Sequence, residues 1–295
     1  MNGMSIIEVA IGLVFAYVLL SIFCSIINEF IAKVFSLRSE NLQNGLKLLL
    51  SDPDMKGIAK KVWEHPLIKG NTLTKKGPSY IAAETFSRAL IDIVDKDSKG
   101  AAKAAGTRDE IKAALENTDF PAEVKDSIKA LIDDVNSNIG DLRKNLQVWF
   151  DNSMDRISGI FKRKLQKISI IVAAILAISF NVDTISISKE LWKNPILRTQ
   201  IADEVAVAVN ACKDETNIEE CPGFKGTEKI RKQLEIFPIG WSESAITYLT
   251  DNFLLKLIGL FLTTLAVSLG APFWFDVLNQ LNSFRSTGNK PKAST

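Results

Sequence analysis

Leu142–Ile187 reads LRKNLQVWFDNSMDRISGIFKRKLQKISIIVAAILAISFNVDTISI, and its pattern decides the fold. Up to Phe161 the apolar residues Leu142, Leu146, Phe150, Met154, Ile157 and Ile160 advance by three or four, the period of an amphipathic helix with one buried face. After the basic cluster Lys162, Arg163, Lys164 and Lys167 the polar face vanishes, and Ile168 to Val182 carries no charge. Ile168 to Ile187 is long enough, at ~1.5 Å per residue, to match a hydrocarbon core of ~30 Å. The pattern therefore predicts a helix of about 40 residues that leaves a soluble packing environment, passes a basic collar and enters lipid. A bend at Gly159 is the alternative to a continuous helix. Asn181 and Asp183 near the far end leave a second alternative for the apolar part, a buried helix of a soluble core.

Two more windows of similar length lie outward from this one. Val9 to Asn28 has no charge, and its flank Met1 to Glu8 has no Lys or Arg. It is too long for the apolar region of a signal peptide and reads as a retained span. Leu257 to Phe275 lies between Lys256 and Asp276, with Pro272 close to its exit. Basic residues gather on the cytoplasmic side of spans. Lys33 and Arg38, the Lys162 to Lys167 cluster, and Arg285 with Lys290 and Lys292 therefore place the N-terminus outside and the C-terminus inside.

Composition narrows the function classes. With 36 Lys+Arg against 34 Asp+Glu the net charge is +2, so nucleic acid is not the expected partner. One histidine and three cysteines leave little for a zinc site or a His-based triad, and no phosphate-binding Gly loop or nucleophile elbow occurs. No cofactor, metal or catalytic residue is expected, and the chain does not read as an enzyme. Cys24 falls inside the first window, whereas Cys212 and Cys221 share the predicted outer loop. An isolated pair in an oxidising compartment is most simply a disulfide.

The expected fold is an all-α membrane protein. Residues 1–35 hold the first transmembrane helix and 36–161 a cytoplasmic helical domain. Residues 162–187 hold the basic flank and second helix, 188–250 a small disulfide-containing extracytoplasmic helical loop, 251–276 the third helix, and 277–295 a cytoplasmic tail. Within the cytoplasmic domain helices are expected over about 55–64 and 79–95. Thr107-Arg108-Asp109-Glu110 has capping-box spacing for a helix to about Glu116, and Pro121 suits the first turn of the next. Asn194-Pro195 suits a cap and first turn outside.

The polar residues at membrane depth are the candidate functional set, because each is costly there unless paired or wet. Glu8, Asp183 and Lys256 fall near the outer boundary, and Glu29 and Asp276 near the inner one. They read either as acidic gates of a conduction path or as interfacial groups that hold three helices in register. Asp183 and Lys256 are expected to pair, with Glu8 the next partner for Lys256. Asp151 and Asp155, four apart on one helix face, could hold Mg²⁺ against a phosphorylated lipid, or simply neutralise Arg156 or Lys144. His65 before Pro66 reads as a helix-terminal residue.

Several strings carry a resemblance. They are His65-Pro66-Leu67-Ile68, Pro78-Ser79-Tyr80-Ile81, Trp149-Phe150-Asp151 with Met154-Asp155-Arg156, Asn181-Val182-Asp183-Thr184, Gly270-Ala271-Pro272-Phe273-Trp274-Phe275-Asp276 and Arg285-Ser286-Thr287-Gly288. Together they resemble an uncharacterised family of bacterial multi-pass integral membrane proteins, over nearly the whole chain. The Gly270 to Asp276 string is the most specific, and the chain departs from the family at Ile160-Phe161, where an aromatic pair is usual. The resemblance implies a multi-pass topology in the bacterial inner membrane and brings no activity. The expected role is a scaffold or anchor, with the lipid bilayer and a protein partner or a second copy of the chain as partners. An oligomeric ion channel or transporter subunit is the alternative.

Overall fold

The structure is a computed structural model that describes residues 3–70, 77–100, 108–133, 139–212, 221–237, 239–241 and 252–288. The regular elements among them are all helices: α1 Gly3–Val34, α2 Leu37–Leu49, α3 Ile58–Trp63, α4 Pro66–Lys69, α5 Ala83–Asp97, α6 Arg108–Glu116, α7 Ala122–Asp133, α8 Ile139–Ser179, α9 Thr184–Lys193, α10 Pro195–Asn210, α11 Thr227–Leu234, α12 Phe253–Ser268 and α13 Ala271–Gly288. They form two compact units, one of residues 1–31 with 165–295 and the other of residues 32–164.

The second unit is built as a soluble protein is built. Leu42 and Leu46 of α2, Val62 of α3, Phe86 and Leu90 of α5, Leu115 of α6, Ile128 of α7 and Leu146 and Phe150 of α8 are all buried in one apolar cluster. The sequence stripes named these faces, but not the element ends. Helix α3 begins at Ile58 because the buried Asp52 carboxylate accepts the backbone N–H groups of Lys56, Gly57 and Ala59 and holds the chain in a turn until then. His65 caps α4: its Nδ1 accepts the Leu67 N–H at 3.3 Å, so the ring proton is on Nε2 and is donated to Asp92 at 3.0 Å. Helices α6 and α7 are joined at their exposed faces by Lys129 with Glu116 and Lys112 with Asp133. The hydrogen bonds from these lysines hold both carboxyls below the usual carboxylate range. Thr107, the expected cap of α6, lies outside the described residues.

Helix α8 is continuous for 41 residues and runs through Gly159 without a break. Its last 15 residues belong to the first unit, whose spine is α1. One helix among the described residues, Ser5–Val34, is long and apolar enough by itself to cross a membrane, and there are three if each bent helix pair is one span. The second and third apolar windows each fall on a bent pair. Helix α8 ends at Ser179 and α9 leaves at 51°, because Asn181 adopts positive φ and Asp183 caps a new helix. Helices α12 and α13 meet at 98° across Leu269 and Gly270, and the φ of +90° at Gly270 is one that only glycine adopts at little cost.

Two contacts tie α8 to α12 in antiparallel register. Gln166 donates to the Ser268 carbonyl at 3.1 Å near one end, and Lys256 meets the residue just beyond α8, Asp183, at the other. Phe86 is fully buried and stacks on Phe150 with ring centroids 4.3 Å apart, joining α5 to α8. Phe86→Ala should therefore cost about 3–5 kcal/mol, measured as a lower unfolding temperature of the purified protein in detergent.

Candidate functional site

Asp183 and Lys256 form the most buried ion pair among the described residues, with side chains 0% and 2% exposed and Nζ 3.2 Å from Oδ2. Asp183 is more than a charge partner. As the N-cap of α9 it accepts the N–H groups of Ile185 at 2.8 Å and Ser186 at 3.3 Å, and the Ser186 hydroxyl at 2.8 Å. A carboxylate with four donors around it is compensated as a buried anion must be. Gly259, one turn along α12 from Lys256, is where the carboxylate fits, since a Cβ there would overlap Asp183.

A chain of hydroxyls continues from this pair. Thr263 donates to the Gly259 carbonyl at 3.0 Å and accepts the Thr184 N–H at 3.1 Å. With its proton committed, Thr263 accepts from the Thr184 hydroxyl at 2.9 Å, and Thr184 accepts from Tyr17 at 2.9 Å. The chain thus runs in one direction from Tyr17 to a carbonyl and ends there. Ser21 adds a bond from α1 to the Val267 carbonyl at 3.1 Å.

A second charged cluster lies toward the start of α1. Glu8 pairs with Arg198 of α10 at 3.1 Å, and Arg198 also donates to Ser5 and to the Leu191 carbonyl. Arg285 of α13 approaches Glu8 at 3.9 Å, donates to the Ala202 carbonyl at 3.0 Å and pairs with Asp203 at 2.8 Å. Glu8 therefore partners two arginines and not Lys256. Arg198 escaped the sequence reading, although its signal was present: it falls on the stripe of α10 that also carries Ile201, Ala202, Val205 and Val209, all buried. A charge on a buried helix stripe needs a partner. Arg285, read from the sequence as an inner-flank residue, lies beside Glu8, read as an outer-boundary one. The 98° bend turns α13 back along α1.

The remaining residues of the candidate set are not gathered. Glu29 and Asp276 are exposed and form no ion pair among the described residues. Lys162, Arg163, Lys164 and Lys167 are exposed, and Lys164 reaches Glu40 at 3.3 Å. Asp151 and Asp155 line a groove of the second unit with Arg38 and Asn41, and neither is paired with Arg156 or Lys144. No group of three or more His, Cys, Asp or Glu able to hold a metal occurs among the described residues. Cys212 and Cys221 are bonded, with Cα atoms 5.3 Å apart, and both are buried in the core of the first unit. No protein-family model, curated protein or solved structure matches this chain.

Asp183→Asn keeps a capping side chain and removes the charge, so it should lower stability by about 3–5 kcal/mol by stranding Lys256. Lys256→Met should do the same. The double substitution should recover part of the loss in a thermal double-mutant cycle, whereas additive losses would show that the two do not interact. The Cys212–Cys221 bond should shift mobility on non-reducing gels only when both cysteines are present, and two free thiols in fresh membranes would reject it.

Proposed function

We propose that this chain is a non-enzymatic integral membrane scaffold or anchor, which couples a cytoplasmic partner to the bacterial inner membrane. The observation that carries the reading is α8. A single 41-residue helix supplies core residues such as Leu146 and Phe150 to the helical unit and Ala173 and Leu176 to the apolar core around α1. A continuous helix that supplies side chains to both cores is what an anchor requires, because it joins the helical unit to the apolar one through regular structure.

The apolar surface supports the bilayer as one partner. On α12 Phe253, Leu254, Leu257, Phe261 and Leu265 are exposed, as is Leu269 just past its end, and on α8 Ile171, Ile175 and Ile178 are exposed. Such faces on adjoining antiparallel helices exceed what a soluble surface tolerates and suit contact with acyl chains. Helix α1, long and apolar enough to cross by itself, contributes less, since Ile11, Phe15, Val18 and Leu19 are fully enclosed by protein.

The polar groups favour a scaffold over the alternative, a channel or transporter subunit. Asp183 is paired with Lys256, Tyr17, Thr184 and Thr263 form a hydrogen-bonded chain that ends on the Gly259 carbonyl, and Glu8 is paired with arginines. A conduction path needs groups left to a passing ion. By the basic flanks, residues 36–161 face the cytoplasm, and Glu8 and the disulfide face out. Arg285 lies with Glu8, so we assign the end of α13 to the outer side too. A second copy of the chain remains a candidate partner beside a cytoplasmic protein.

Single cysteines in a Cys24→Ala background that retains the disulfide test this arrangement. Asp126→Cys should be protected from impermeant maleimide on intact cells, while Gln200→Cys and Ser283→Cys should both label. Label on Asp126→Cys alone would reverse the orientation, and label on only one of the other two would reject the returning path of α13. Purified protein in liposomes should pass no ions, and a flux that responds to Asp183→Asn would replace the scaffold by the channel.

A further inference from the structure

Within the second unit, α7 and α8 face each other across an open groove of about 350 Å³. The α8 wall carries Trp149, Ser153 and Arg156, spaced four and three apart so that they share one helix face. The α7 wall carries Glu123 and Ser127, again four apart. Leu48 and Leu49 of α2 close one side.

Ser153 is the anomaly. It is 5% exposed, and its Oγ is shut from solvent yet has no hydrogen-bond partner. A buried hydroxyl left unpaired costs stability, and native structures rarely keep one without a use. A serine inside a helix can satisfy itself on a preceding carbonyl, as Ser127 does by donating to the Glu123 carbonyl at 2.8 Å. Ser153 does not. The charged groups beside it are equally uncommitted, since neither Arg156 nor Glu123 forms an ion pair among the described residues.

The two walls differ in hydrogen-bonding sense. On α8 the Arg156 guanidinium offers only donors, and the Ser153 hydroxyl has a free proton. On α7 the Glu123 carboxylate offers only acceptors, and the Ser127 hydroxyl, its proton already given to a carbonyl, accepts as well. A ligand that satisfies both walls carries an anionic group at one end and a protonated amine at the other. A planar carboxylate directs both oxygens into the guanidinium fork. A tetrahedral phosphate has oxygens left over for a hydroxyl out of that plane, which the pairing of Arg156 with Ser153 favours. The Trp149 ring supplies an apolar lip on the same face as Ser153.

We propose that this groove binds a phosphate ester carrying a protonated amine, the chemistry of an ethanolamine phosphate headgroup, with ammonium on Glu123 and Ser127 and phosphate on Arg156 and on the Ser153 hydroxyl, which turns about χ1 into the groove to meet it. The site goes beyond the scaffold reading and uses residues of the second unit alone. The ligand has two possible sources, a soluble phosphorylated amine or the headgroup of a membrane lipid.

Calorimetric titration of the full-length protein in detergent with phosphoethanolamine, inorganic phosphate and ethanolamine tests it. Phosphoethanolamine should bind saturably at one site and at least about tenfold more tightly than either fragment. Arg156→Gln should weaken it about tenfold or more, and Ser153→Ala several-fold, while Ser153→Ala leaves the unfolding temperature of the free protein unchanged or raised because only an unpaired hydroxyl is lost. A merely structural serine would lower that temperature. Glu123→Gln should weaken phosphoethanolamine and leave inorganic phosphate as it was. Protein in nanodiscs distinguishes the sources: phosphatidylethanolamine should block the soluble ligand if the lipid headgroup is the occupant, and phosphatidylglycerol should not. Blocking by neither lipid, with soluble binding intact, assigns the site to the soluble phosphorylated amine. Absence of saturable binding in detergent and phosphatidylglycerol discs overturns the proposal, as does binding that Ser153→Ala, Arg156→Gln and Glu123→Gln all leave intact. Phosphate binding as tightly as phosphoethanolamine overturns the amine half.

Discussion

Two unlike charges removed from water have to find each other and enough hydrogen bonds besides, and the first unit is arranged around that requirement at Asp183 and Lys256. The pair is 0% and 2% exposed. Its geometry dictates several features that look unrelated. The α8 helix stops at Ser179 so that Asp183 can become a cap and present its carboxylate to α9 and α12 together. Gly259 lacks a side chain because the carboxylate occupies that space. Thr184 and Thr263 stack their hydroxyls directly beyond it, and Tyr17 joins α1 to the same set. Helix α12 contributes Lys256 and Thr263, α9 Thr184 and α1 Tyr17, and each group would be stranded if its neighbour moved.

The same unit separates two properties that a hydropathy profile merges. Helix α1 is the most apolar long helix, yet Ile11, Phe15, Val18 and Leu19 are enclosed by protein. Phe15 meets Phe224 and Phe237, which belong to the segment holding the disulfide. The apolar side chains left exposed are those of α12 and the end of α8. Apolar content measures transfer out of water and is indifferent to whether the new surroundings are acyl chains or other side chains.

The second unit follows the rules of water-soluble packing, and its polar groups show it. Asp52 and His65 are buried and fully employed in a turn and a cap. Ser153 is buried and unemployed, and the groove it borders holds a guanidinium and a carboxylate without ion-pair partners among the described residues. Stability accounts for the first two residues but not for the third, whose hydroxyl a ligand would satisfy.

Local pattern was enough for the helical class, the faces of α2, α5, α7 and α8, the unbroken passage from Leu142 into the apolar run, and the pairing of Cys212 with Cys221. Periodicity, compartment chemistry and the cost of lone charges act over a few residues or through composition, so one dimension contains them. The Asp183–Lys256 pairing was also legible, because opposite charges at similar depth had few other partners. What tertiary structure alone decided was direction and company. The φ of +90° at Gly270 turns the expected third span through 98°, which carries Arg285 to Glu8. Arg198 gains its carboxylate from a residue 190 positions away. Glu29 and Asp276, by contrast, are exposed and form no ion pair among the described residues, because hydropathy assigns depth along one helix and not the neighbour across from it.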